Sequence, residues 1–455
     1  MQEKKILFVP FALLAFLILL PVVMAGEDVL FIDVAHLAPD QDAAVSKVKL
    51  IEINWDALDE GKNKELSLNL FDGLKIRAIR ERLDKQYAGN YVWVGHAPDL
   101  ANSAVTISVV DSTVVGSVAL DGYEKYIIRQ GSQGQILQQI DHRRQIEIEM
   151  DDEILVHAQP NYDDEKISYC EDGSQIDLLV AYTEATRVKF GSTAATRAFI
   201  NQRVSEMNSA NINSGLNFKY RLVQAIETIY QESGDVSVDL TRLKWTGDGR
   251  LDDVTAARDR YKADLTSLIV SEAEAGSACG IAYVMNEMST HFASYAYNVV
   301  ALDYAGNNLT CNSLTMAHEF GHNMGNQHDR ANSSSPPILP FAYGYQSPRQ
   351  RFRTIMAYDC PGGCPRINYW SNPDSSFLGE AMGIGHDSNS ILSADNVRAM
   401  EEAARHVANF RQNCPVADTP TATATAPPGA LPTATPLSSS FPNGHRSFAP
   451  VIVSN

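Results

Sequence analysis

The sequence predicts a mixed α/β (α+β) domain preceded by a β-rich region, and three observations carry that reading. Between residues 176 and 302, short apolar runs alternate with segments of helical period. Between residues 66 and 128, β-branched and aromatic runs are split by turn residues. From Pro415 onward, Thr, Ala and Pro displace the apolar periodicity. A length of 455 residues allows two or three domains, and 44% hydrophobic residues allow sizeable cores.

Residues 1–25 read as a secretory signal peptide. Lys4 and Lys5 precede an apolar run from Ile6 to Val23, and Val23-Met24-Ala25 offers small residues for cleavage. The run exceeds a usual signal core, so an uncleaved anchor competes, but Pro21 and the acids that follow favour cleavage. Residues 26–165 are β-rich, with strands expected at 66–71, 91–94, 105–110, 114–118 and 126–128. The polar, turn-rich linker at 159–165 suits processing. In the following domain, 166–414, strands are expected at 176–181, 218–226, 265–270, 281–285 and 295–302. Helices are expected at 194–210, through Phe199, Ile200, Val204 and Met207, and at 254–263 and 313–325. A last helix at 394–410 puts Val397, Met400, Val407 and Phe410 on one face. Residues 415–455 form a Thr/Pro-rich tail expected to be disordered, whose final apolar stretch is too short to span a membrane.

The formal net charge of −18 argues against a nucleic-acid partner, because phosphates call for Lys/Arg patches. Six cysteines, all from Cys170 onward, fit three disulfides in an exported chain. They allow 15 pairings. The preferred set is Cys279–Cys311, Cys360–Cys364 and Cys170–Cys414, the last joining the ends of the 166–414 domain.

The most specific signal is His318-Glu319-Phe320-Gly321-His322-Asn323-Met324-Gly325-Asn326-Gln327-His328, which matches H-E-x-x-H-x-x-G-x-x-H. Two histidines four apart share one face of a helix and reach one metal ion. Gly325 ends the helix where positive φ is needed, and the turn brings His328 round. Three protein ligands leave a position open for water, the mark of a catalytic zinc site. Glu319 is placed to take a proton from that water. Met356 follows His328 by 28 residues and would supply an apolar, polarizable floor beneath the imidazoles.

These residues resemble the metzincins, and Asp329 directly after the motif resembles the reprolysin (adamalysin-like) branch. The stretches Arg353-Thr-Ile-Met-Ala-Tyr358, Cys360-Pro-Gly-Gly-Cys364 and Asn368-Tyr-Trp-Ser-Asn-Pro373 look closest to the bacterial secreted peptidyl-Asp metalloendopeptidases. The resemblance spans roughly residues 170–414. It implies a five-stranded mixed sheet flanked by helices, one zinc ion held by His318, His322 and His328, and Glu319 as the catalytic residue. It also makes 26–165 a prodomain, with an adhesion or substrate-binding module as the competing reading. Calcium is left open, since no motif shows a site for it.

The expected activity is a secreted zinc metalloendopeptidase made as a zymogen, monomeric, acting on protein or peptide substrates, with no membrane span once the signal is removed. The tail leaves envelope association open. A non-enzymatic zinc-containing adhesion or toxin-like module is the alternative; Glu319, which a purely structural site does not need, argues against it. Arg366, with Arg351 and Arg353 nearby, is the candidate for gripping an acidic side chain after the scissile bond, and Tyr358 the candidate for positioning substrate. The β-rich region holds no cysteine, so only Cys170 could act as a thiol switch, and pairing it with Cys414 favours latency by steric occlusion.

Overall fold

In the computed structural model the described residues are 29–38, 42–58, 63–85, 90–141, 144, 153–156, 169–305 and 309–414. The expected signal peptide, the 159–165 linker and the tail from 415 lie outside them.

Nine strands build the N-terminal region: β1 (Phe31–Leu37), β2 (Val45–Ile53), β3 (Glu65–Asn69), β4 (Lys75–Lys85), β5 (Tyr91–His96), β6 (Ala104–Val110), β7 (Thr113–Leu120), β8 (Tyr123–Gly131) and β9 (Gly134–Ile140). They hydrogen-bond in the order β1-β2-β9-β8-β7-β6-β5-β4-β3. Val29, just ahead of β1, bridges Ser67 in β3, so the sheet curls until its two ends meet. Leu68, Trp93, Val105, Ile107, Val118 and Ile128 fill its interior. Closure leaves little unpaired edge for stray pairing.

The second layer system begins with β10 (Glu153–Leu155) and continues through β11 (Gln175–Thr183), α1 (Glu184–Phe190), α2 (Thr193–Ser214), β12 (Lys219–Thr228), α3 (Val236–Lys244), α4 (Asp252–Tyr261), β13 (Leu265–Ala273), β14 (Gly280–Val284), β15 (Tyr297–Tyr304), β16 (Leu309–Thr310), α5 (Thr315–Asn323) and α6 (Asn396–Val407). Its sheet runs β10-β14-β15-β13-β11-β12, with β16 folded back on β15. Strands β12, β11, β13 and β15 are parallel neighbours. Their middles, such as Leu178 to Ala181 and Leu268 to Val270, are buried, as expected of strands covered on both faces. β14 and the short β16 both pair antiparallel with β15. Where the family resemblance implies five strands, seven are present. β10 arrives from upstream to pair parallel with β14, and β16 extends β15 as a hairpin.

Helix α2 lies between the two sheets. Ile200, Val204 and Met207 enter the core of the second system. Ala198 meets Val110 and Val115 of the N-terminal sheet, with Ala194 and Phe199 alongside. Three disulfides join Cys170 to Cys414, Cys279 to Cys311 and Cys360 to Cys364, leaving no free thiol. They are the three pairs expected from the sequence.

Candidate metal centre

Helix α5 buries Met316 and Phe320 in the core and turns His318 and His322 to one side. It stops at Asn323. Gly325 then adopts φ 88°, and the reversal is closed by Gly325 N to His322 O at 2.9 Å and Asn326 N to Gly321 O at 3.0 Å. A left-handed residue there is cheap only for glycine. The chain doubles back, and His328 joins the first two histidines.

Their Nε2 atoms stand 3.2 Å (His318–His322), 3.1 Å (His322–His328) and 3.2 Å (His318–His328) apart, and all three residues are buried. His318 Nδ1 bonds Ile355 O at 2.9 Å and His322 Nδ1 bonds Asn326 O at 3.0 Å. A carbonyl only accepts, so Nδ1 carries the proton and Nε2 presents a lone pair. Lone pairs converging at this spacing repel one another unless a cation lies between them. An all-imidazole donor set with neutral tautomers fits zinc.

The glycines explain how the parts approach. A Cβ at Gly321, between the two helical histidines, would stand 3.0 Å from the Trp370 ring and still closer to the Met356 sulfur. Met356 therefore packs directly against the helix that carries His318 and His322. A Cβ at Gly280, the first residue of β14, would stand 2.7 Å from Glu319 Cδ. The carboxylate of Glu319 is thus seated against the backbone at the start of β14.

Other residues hold this frame. Asp329 accepts from Tyr358 N at 3.0 Å and from Ala331 N at 3.1 Å, tying the third-ligand loop to the segment after Met356. Tyr358 lays its ring on His328, with centroids 4.2 Å apart. Sequence reasoning missed Asn323, whose Nδ2 donates to Tyr283 O at 2.9 Å and Tyr297 O at 3.1 Å. It pins the end of α5 to both β14 and β15. A buried amide beside a ligand was the available signal.

The candidate specificity residues separate. Arg366 donates from Nη2 to Ala357 O at 3.2 Å, beside the Met356 turn. Arg353 Nη1 donates to the same oxygen at 3.1 Å. Arg351 turns away, to Glu380 at 3.1 Å. His386 and His406 lie outside the triad, bonded to Ser393 and Tyr169.

The edge of β14 beside Glu319 is taken by β10. Glu153, Ile154 and Leu155 stand opposite Ala282, Tyr283 and Val284 in parallel register. The Glu153 carboxylate accepts from Ser335 Oγ at 3.2 Å and also from Ser334.

Residues 172–371 match the family model described as Metallo-peptidase family M12. The chain is 30% identical over 363 residues to a peptidyl-Asp metalloendopeptidase of Stenotrophomonas maltophilia (strain R551-3), covering 74% of this chain and 81% of that protein. A protein of the same name from Xanthomonas campestris pv. campestris is 29% identical over 387 residues, covering 81% of this chain and 87% of its own length.

Proposed function

The chain belongs to metallopeptidase family M12, and from that premise we propose how this zinc-dependent metalloendopeptidase works and how it is held in check. One observation carries the reading: three buried imidazole nitrogens converge beside a carboxylate that rests against the backbone of β14. His318, His322 and His328 would hold the zinc, which supplies a water of lowered pKa and Lewis-acid polarisation of the scissile carbonyl. Glu319 takes the proton of the attacking water and later delivers it to the leaving amine. The main chain of β14 aligns an extended peptide by strand addition past Glu319. Met356 supports the ligand helix and Tyr358 braces the His328 ring, and Tyr358 borders the bound substrate.

Strands β12, β11, β13, β15 and β14 are the five-stranded sheet of the catalytic domain, 166–414. Residues 1–25 are a signal peptide, 26–165 a prodomain and 415–455 a Thr/Pro-rich tail. The secreted product is a monomer. With all six cysteines paired, no thiol is available as a switch, and occlusion is the route to latency: β10 fills the β14 edge that substrate needs. The relatives' printed name and the guanidinium of Arg366 beside Ala357 support a preference for an acidic residue after the scissile bond.

Glu319→Gln tests the chemistry. The variant is expected to keep its zinc by metal analysis while casein hydrolysis falls by about 10²-fold or more. Turnover near that of the parent enzyme would remove Glu319 from its assigned role.

A further inference from the structure

Just past the Met356 turn, two guanidiniums meet at one carbonyl. Arg353 Nη1 and Arg366 Nη2 both donate to Ala357 O, at 3.1 and 3.2 Å. Ala357 lies between Met356, under the ligand helix, and Tyr358, on His328, so both cations are fastened within one residue of the metal centre's own supports. Arg353 is only 3% exposed. Its Nε faces Asp359 Oδ1 at 3.9 Å. That same oxygen accepts the amides of Cys360 and Cys364 at 2.9 and 2.7 Å, inside the turn closed by the Cys360–Cys364 disulfide. Asp359 is therefore committed to shaping the loop as well as to holding Arg353.

Both arginines line a cavity of about 580 Å³ that also reaches Leu314, immediately before α5. The stretch from Arg353 to Arg366 contributes to its wall two guanidiniums and one carboxylate, that of Asp359. Arg82 and Glu81 of the N-terminal sheet and Glu206 of α2 also face it. Arg82 is paired with Asp84, and Glu206 with Arg203.

We propose that Arg353 and Arg366 together form a carboxylate subsite, with Arg353 as the fixed anchor and Arg366 as the half-buried arm that closes on an acidic substrate side chain. This rests on the reading of the chain as an endopeptidase that prefers an acidic residue after the scissile bond. A guanidinium held by backbone and loop contacts is pre-organised to meet a carboxylate in a two-pronged arrangement, which an ammonium on a flexible stem cannot reproduce. Ala357 O sets the spacing of the two forks, and the Cys360–Cys364 turn keeps that spacing fixed.

The test uses the full chain, secreted and activated, with matched quenched peptides differing only in Asp or Asn after the scissile bond. The readout is the Asp:Asn ratio of kcat/KM, which cancels any uniform loss. Arg366→Ala and Arg353→Lys are each expected to lower that ratio at least about tenfold, mainly through KM for the Asp peptide. Arg366→Lys should restore part of what Arg366→Ala loses. A parent enzyme with no Asp preference would overturn the acidic-preference reading itself. A parent that prefers Asp, with both variants keeping its ratio, would overturn the paired subsite alone. If Arg353→Lys does not fold, the Arg366 variants still decide the question.

Discussion

Asp264, directly before β13, is buried with its two carboxylate oxygens on backbone amides: Asp177 N at 2.9 Å and Arg411 N at 3.2 Å. Burial pushes its pKa up to about 8, against those two hydrogen bonds. An unfolded Asp titrates near about 3.9. Between these values the folded chain holds one more proton than the unfolded one, so stability falls as pH rises through that window. Asp264→Asn removes the proton and keeps an acceptor. Thermal melts from pH 5 to pH 8 should show the parent losing Tm relative to the variant as pH increases; parallel curves would mean that Asp264 is ionised in the fold. The candidate ligands His318 and His322 were legible at this scale because a spacing of four on a helix dictates a shared face. Gly321, Gly280 and Asn323 were not, because each is defined by what reaches it from elsewhere: Met356, Glu319, and the carbonyls of two strands.

Strand β10 is three residues long, yet it takes the sheet edge beside Glu319, and Ile154 packs against the catalytic core. Proline at position 154 would remove one backbone donor and fix φ, which a ladder tolerates poorly. Ile154→Pro is therefore expected to raise peptide hydrolysis by the unprocessed precursor about tenfold or more. A precursor as silent as the parent would show that β10 does not maintain latency. Most elements of the catalytic region were readable from their apolar period, including β11, α2 and β13, and the ligand helix from the spacing of its histidines. Helix α3 carried a signal that went unused: Val236, Leu240 and Leu243 recur on one face behind the Asp235 cap. Strand β4 misleads. Its Lys75–Lys85 sequence is charged and resembles an exposed helix, and only pairing with β3 and β5 on either side makes it a strand. β10 was unreadable, since three residues have no period and its partner lies far along the chain.

Across the whole molecule, the disulfides span very different loops: separations of 244 residues for Cys170–Cys414, 32 for Cys279–Cys311 and 4 for Cys360–Cys364. Loop-closure entropy alone gives about 5, about 4 and about 2 kcal/mol in that order. Replacing each pair by serine should lower the denaturant midpoint in the same order, with Cys170/Cys414 the most costly. A larger loss at Cys360/Cys364 would point to strain or contacts in the native loop outweighing chain entropy. Helix α2 has a consequence of another kind. Toward the N-terminal sheet it offers Ala194 and Ala198 together with polar groups: Ser205 O and Ser209 Oγ receive Arg82, and Glu206 receives Ser117. In the processing proposed above, loss of that sheet would bring this face to water. Alanines, hydroxyls and a carboxylate already paired with Arg203 hydrate readily, while Phe199, under the Arg203 guanidinium, is the aromatic that the proposed cut would bare. The enzyme freed by that cut would then turn to solvent a mostly hydrophilic flank with a cation-covered ring, which gives a second copy little to grip.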